Sequence, residues 1–178
     1  MSGSTDKATP PLLYVLRHAK SSWDDPGLSD HDRPLAPRGR KAAKVVGRHL
    51  EEAGIRPELV LCSSARRARE TYELVQPVGE LLIEPALYGA SADEVIERVR
   101  EVPDSTDAVM VIGHNPALQM AVLSLVSSRQ GGDARALQQL REKFPTCALA
   151  TVRVTGSWPR LGPSGGELVG LVRPADLG

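Results

Sequence analysis

Three short apolar runs, Leu12–Leu16, Leu59–Cys62 and Ala108–Ile112, carry no alternation of polar residues. Strands buried on both faces have this signature. Each run breaks into a few polar residues, and a helix-period stretch follows. After the first run, Lys20–Pro34 is rich in Ser, Asp, Pro and Gly and predicts a long loop. A loop of that length inside a compact domain points to function. A helix is predicted from Pro37 to about Ala53, stopped by Gly54, with Ala42, Val45, Val46 and Leu50 on its apolar face. Ala36 offers no side-chain oxygen as its cap. His49 lies beside that face and reads as a packed or surface histidine.

The unit then repeats. Leu59–Cys62 leads into Ser63-Ser64-Ala65-Arg66-Arg67-Ala68-Arg69-Glu70-Thr71, which opens a second helix. Leu81–Ile83 predicts a short outer strand, and Asp93–Val102 a helix with Ser91 as cap. Ala108–Ile112 ends in Gly113-His114-Asn115-Pro116, before a helix from Ala117 to about Ser127. Arg129–Asp133 is a glycine-containing linker and Asp133–Arg141 a short helix. Ala148–Val154 and Leu168–Val172 predict two closing strands, antiparallel because only the Gly156–Gly166 loop joins them. This alternation predicts a three-layer α/β/α sandwich, with a mostly parallel central sheet and an antiparallel edge. Residues 1–10 read as a disordered tail and 11–178 as a single domain.

In open α/β sheets, ligands bind beyond the carboxyl ends of the strands. Arg17-His18, Ser63-Ser64 with Arg67, and Gly113-His114 all fall there, on one edge of a parallel sheet. Arginine offers planar, bidentate contacts to phosphate oxygens, and helix N-termini add positive partial charge. Histidine supplies a nucleophile or a proton carrier. The expected ligand is a phosphate-like dianion. No carboxylate core accompanies these residues, which disfavours a magnesium site.

Composition narrows the field. The chain has 178 residues, 41% hydrophobic and 25% charged, with formal net charge zero. Zero net charge gives no global pull toward nucleic acid or an anionic membrane. Phe, Trp and Tyr make up only 3%, too few for a base-stacking surface. Cys62 and Cys147 sit in strand-like contexts and read as buried thiols, compatible with a cytoplasmic protein. The N-terminal residues lack the apolar core of a signal peptide, and no run reaches membrane-spanning length.

Arg17-His18, followed by Ser21 and Trp23, resembles the RHGxSxW signature of the histidine phosphatase superfamily. Arg67-Ala68-Arg69-Glu70-Thr71 resembles its RAxxT element, and Gly113-His114-Asn115 its third motif. The order RHAKSSW, RPL, RG and a late GHNP is most similar to the SixA-type phosphohistidine phosphatases. The resemblance covers about Leu12 to Val126 strongly. It implies a phosphoglycerate mutase-like fold and a phosphatase that uses neither metal nor other cofactor. It further implies His18 as nucleophile, with Arg17, Arg67 and His114 on the phosphoryl oxygens. Ser21, Asp24, Ser64 and Asn115 are further candidate substrate contacts; a turn or cap role is the plain alternative for Ser21 and Ser64, a solvated loop position for Asp24. Arg66 and Arg69, turned about 100° or more from Arg67 on the helix, are expected on the rim.

Three departures from the family pattern matter. Ala19 replaces the usual glycine, so an ordinary φ is expected there. Asp24 stands where many relatives acting on esters carry Asn. Glu84 is displaced from the place of the glutamate acid of larger branches, and Pro85 occupies it. An alkoxide leaving group needs a proton from the protein, whereas imidazole leaves readily. The pattern therefore favours phosphohistidine on a protein as substrate. A small-metabolite phosphomonoesterase using Glu84 or Asp24, and a non-catalytic phosphate-binding module, are the alternatives. A metal site on His18 and His114 lacks carboxylate or thiolate neighbours and sits among arginines.

Overall fold

The computed structural model describes residues 9–126 and 131–178. Residues 1–8 of the expected tail, and part of the expected Arg129–Asp133 linker, lie outside them.

Strand β1 (Leu12–Arg17) runs through the middle of the sheet. Its side chains alternate between two cores: Leu13 and Val15 enter one, Tyr14 and Leu16 the other. A strand apolar at every position is what two buried faces require. The remaining elements are α1 (Pro37–Glu52), β2 (Leu59–Ser63), α2 (Arg66–Val75), β3 (Glu80–Glu84), α3 (Ala92–Arg100), β4 (Ala108–Gly113), α4 (Ala117–Leu125), α5 (Ala134–Glu142), β5 (Leu149–Val154) and β6 (Gly166–Val172). The six strands lie in the order β3-β2-β4-β1-β5-β6. The first four pair in parallel, and β5 pairs antiparallel with both β1 and β6. Helices α1 and α2 cover one face; α3, α4 and α5 cover the other. The result is the expected three-layer sandwich, with β3 as the outer strand.

Helix α1 is rotated from the sequence expectation. Its buried positions are Gly39, Ala43, Val46 and Leu50, while Ala42 and Val45 are only half-buried. Gly39 explains the rotation, because a β-carbon there would collide with the Lys20 carbonyl. The helix therefore approaches the backbone just past the end of β1. Ala36 caps nothing with its side chain; its amide instead donates to Lys20 O at 2.9 Å. The preceding amide, Leu35 N–H, donates to Glu70 Oε2 at 2.7 Å. Both contacts tie the start of α1 to the site edge. Gly54 ends the helix at φ +67°, and Ser91 forms a capping box with Glu94 on α3.

Parallel register brings the strand ends together. Arg17 pairs with Gly113 across β1 and β4, and Cys62 with Ile112 across β2 and β4. Among the described residues, no helix is long and apolar enough to cross a membrane.

Candidate active site

His18 follows β1 and is only 7% exposed. Its backbone is pinned on several sides. His18 N–H donates to Gly113 O at 3.0 Å, and Cys147 N–H reaches the carbonyls of Arg17 and His18 at 3.0 and 3.1 Å. The next amide, Ala19 N–H, donates to Thr71 Oγ1 at 2.9 Å, and Thr71 Oγ1 donates to Arg67 O at 2.7 Å. The threonine of the RAxxT element thus links the end of β1 to the first turn of α2. Ala19 is fully buried and has no positive φ, as expected.

His18 Nδ1 lies 2.7 Å from Ala19 O. A carbonyl can only accept, so Nδ1 carries the proton and Nε2 the free lone pair. The partner that fixes the ring is thus a backbone carbonyl one residue along the chain. The His114 ring stands 5.1 Å from the His18 ring, centroid to centroid.

Arg17, Arg67 and His114 are each anchored on one residue and leave one buried nitrogen unpaired. Arg17 Nη1 donates to Phe144 O at 3.0 Å. Arg67 grips Asp30 end-on, with Nη1 to the carbonyl at 2.7 Å and Nη2 to Oδ2 at 3.1 Å. Ser63 Oγ accepts from Ala65 N–H at 3.3 Å and lies 2.7 Å from His114 Nε2. With the Ser63 hydroxyl proton directed to Nε2, His114 Nδ1 is an N–H donor. Arg17 Nε, Arg67 Nε and His114 Nδ1 are the buried side-chain polar atoms without a hydrogen-bond partner among the described residues. A buried donor left unmade costs about 1–3 kcal/mol. Three at one edge of the sheet are donors suited to an oxyanion.

Electrostatics agree. The imidazolium of His18 is pushed down to about 3, first by burial and then by the positive charges of His114, Arg67 and Arg17; the bond to Ala19 opposes this. His114 is pushed down to about 4 by burial, Arg67 and Arg17, with Asp30 opposing. Both rings are neutral at pH 7. In the unfolded chain each titrates near 6.5. Between about pH 6.5 and pH 3 the unfolded state thus binds more protons, and stability falls as pH falls through that window. Each unit of displacement is worth about 1.4 kcal/mol. Urea unfolding of the wild type across this range is expected to show a steeper loss of stability toward acid than His18→Ala; identical slopes would contradict a buried neutral His18.

The remaining sequence candidates fall in different places. Ser21 is buried and accepts from Arg33 Nη1 at 2.7 Å, so it braces the loop. Asp24 is exposed, its amide donating to Ser22 Oγ. Ser64 Oγ meets His31 Nε2 at 3.0 Å. Asn115 spends its amide on Phe144 O and on Gln119, holding the start of α4. Glu84 is locked by Arg98, whose Nε and Nη2 reach Oε1 at 2.9 and 2.6 Å. Arg67 is the buried arginine of its turn. Arg66 and Arg69 are exposed, bonded to Glu70 and to Ser64 O.

Sequence reasoning placed Ser63 at the site edge without its role and missed three further participants, Asp30, His31 and Tyr88. Ser63 orients His114, as above. Asp30 accepts from Arg67, from Arg33 and from the Tyr88 hydroxyl at 2.7 Å. The Tyr88 bond, then Arg67 and Arg33, hold the Asp30 carboxyl down at about 2, so it is ionised. His31 and Tyr88 complete the group. For Asp30 and His31 the signal was the long loop itself; Tyr88 had none. Among the described residues, no group of three or more His, Cys, Asp or Glu is placed to hold a metal ion.

Comparison with known proteins places this geometry. Residues 13–88 match the model of the histidine phosphatase superfamily (branch 1). An uncharacterized protein from Mycobacterium tuberculosis is 39% identical over 159 residues, 89% of this chain and 99% of that one. The structure of a proposed phosphohistidine phosphatase SixA from Nakamurella multipartitia superposes with TM-score 0.84 at 30% identity, covering 95% of this chain and 99% of that one. A second such SixA structure, from Agrobacterium tumefaciens, gives 0.78 at 25% identity, over 94% of this chain and all of the other. With the strand-end histidines and arginines arranged as described, the chain belongs to the histidine phosphatase superfamily, in its SixA-like branch.

Proposed function

We propose that this protein is a metal-independent, cytoplasmic phosphatase that removes the phosphoryl group from phosphohistidine on a partner protein. The observation that carries this reading is the set of three unpaired buried nitrogens, on Arg17, Arg67 and His114, at the sheet edge where His18 keeps a free lone pair. His18 Nε2 attacks phosphorus, and the bond to the leaving nitrogen breaks with its electron pair going to that ring, which departs as neutral imidazole because its other nitrogen already carries a proton. Arg17, Arg67 and His114 hold the phosphoryl oxygens and stabilise the loose transition state. Water then attacks phospho-His18, releases phosphate and returns the electron pair to Nε2. Buried thiols at Cys62 and Cys147 accord with a reducing compartment.

The choice of substrate rests on the acid. Glu84 is held by Arg98, and Asp30 is an ionised carboxylate without a proton to give. A positioned acid contributes about 10²–10⁴-fold where the leaving group needs it. An ester leaving group would forgo that factor here; imidazole would not. Arginine charge around His18 and His114 also repels a cation. The test is turnover of a phosphohistidine carrier protein beside a panel of phosphate esters, with chelator present throughout. The carrier is expected to react about 10²-fold faster or more, unaffected by chelation. Faster cleavage of 3-phosphoglycerate, or loss of activity with chelator, would overturn the reading.

A further inference from the structure

The chain has four histidines and three tyrosines, and three of those histidines and one tyrosine gather in this site. Their rings form a continuous series. His18 and His114 are 5.1 Å apart, His114 and Tyr88 5.7 Å, and Tyr88 and His31 4.8 Å. In a protein with so few aromatic residues, this concentration is not explained by core packing. His31 and Tyr88 are each about one-third exposed, at the open side of a series whose other end is the buried His18.

We propose that Tyr88 and His31 form the leaving-group subsite, a fixed corner that receives the planar imidazole of the substrate while His18 takes its phosphoryl group. This rests on the phosphohistidine reading of the site. The two rings meet edge to face at 85°, so a third ring can lie along one and abut the other. Every polar atom of the corner is already engaged. The Tyr88 hydroxyl donates to Asp30 Oδ2 at 2.7 Å, His31 Nε2 lies 3.0 Å from Ser64 Oγ, and His31 Nδ1 lies 3.3 Å from Asp32 Oδ1. The rings are therefore held in place and offer faces and edges for contact. Asp30 joins the corner to the phosphoryl end, because the carboxylate oxygen that anchors Tyr88 also accepts from Arg67. One carboxylate thus sets the distance between the group that binds phosphate and the group that binds the ring.

The test compares two small P–N compounds that differ by the ring, phosphoimidazole and phosphoramidate. The readout is the ratio of their kcat/KM values, which cancels changes common to both. The wild-type ratio is expected to fall about three- to tenfold in Tyr88→Ala and in His31→Ala, the size of one aromatic contact. Tyr88→Phe keeps the ring and should retain most of the preference. A ratio unmoved by either alanine variant overturns the subsite. So does a ratio that collapses equally in Tyr88→Phe and Tyr88→Ala. Failure of the phosphohistidine reading looks different: the wild type would then cleave phosphate esters and neither P–N compound. In that event the ratio of phenyl to ethyl phosphate turnover replaces the first one, and the same variants decide the subsite.

Discussion

Replacing His18 by alanine is expected to lower kcat by about 10⁴-fold or more on any substrate the enzyme accepts. Losses of this size follow removal of a covalent nucleophile, because the remaining groups still bind and polarise substrate but have nothing to transfer to. The structure gives the reason that no neighbour can substitute. His18 Nδ1–H is committed to Ala19 O, so Nε2 is the single free lone pair on the ring. With the Ser63 hydroxyl donating to its Nε2, the adjacent His114 ring offers an N–H rather than a lone pair. Rapid quench with radiolabelled substrate checks both halves of the claim. The wild type should show an acid-labile, base-stable phosphoprotein, and His18→Ala should show none. Circular dichroism confirms that the variant is folded. Turnover within tenfold of the wild type, or an undiminished phosphoprotein, would exclude His18 as the acceptor.

Arg67 carries the second large effect. Its Nη atoms hold Asp30 end-on, and its Nε is buried and unpaired. A guanidinium can serve both directions because its donors lie in a rigid fork; an ammonium is a point charge and cannot. Arg67→Ala is expected to cost about 10³–10⁵ in kcat, the range for an arginine that stabilises a phosphoryl-transfer transition state. Arg67→Lys should recover little of it. Arg67→Ala also lifts positive charge from His18 and His114, so both imidazoles should titrate higher and the acid limb of kcat/KM should move up in pH. Measurement of kcat/KM against pH, with competitive inhibition by inorganic phosphate, separates the two effects. An Arg67→Lys enzyme with more than a tenth of wild-type kcat/KM would show that the fork geometry is dispensable.

Much of this site is local in the chain. The uniform apolar runs of β1, β2 and β4 mark doubly covered strands, and Arg17-His18, Arg67 and Gly113-His114 stand directly at or after their ends. Parallel pairing then delivers those residues to one edge without further instruction. Helix geometry lets only one of Arg66 and Arg67 face inward, and the resemblance to the RAxxT element picks Arg67, the one that is buried. The backbone partner of His18 Nδ1 is also local, one residue away.

What escaped the sequence is contact between distant segments. Asp30 meets Arg67 37 positions away and Tyr88 58 positions away. Ser63 meets His114 across 51 positions, and Glu84 is taken out of reach by Arg98. None of these pairs has a period or spacing that burial would imprint on the chain. The rotation of α1 belongs to the same class, since Gly39 is a weak apolar signal but the one residue that lets the helix touch Lys20. Hydrophobic patterning, read along the chain, determined the layers, the sheet edge and the residues that carry the reactive and charged groups. Only the tertiary structure decided how those groups are oriented and which rings flank them. Solvent exclusion acts on every residue and leaves a periodic trace, whereas a hydrogen bond acts between two residues and leaves none.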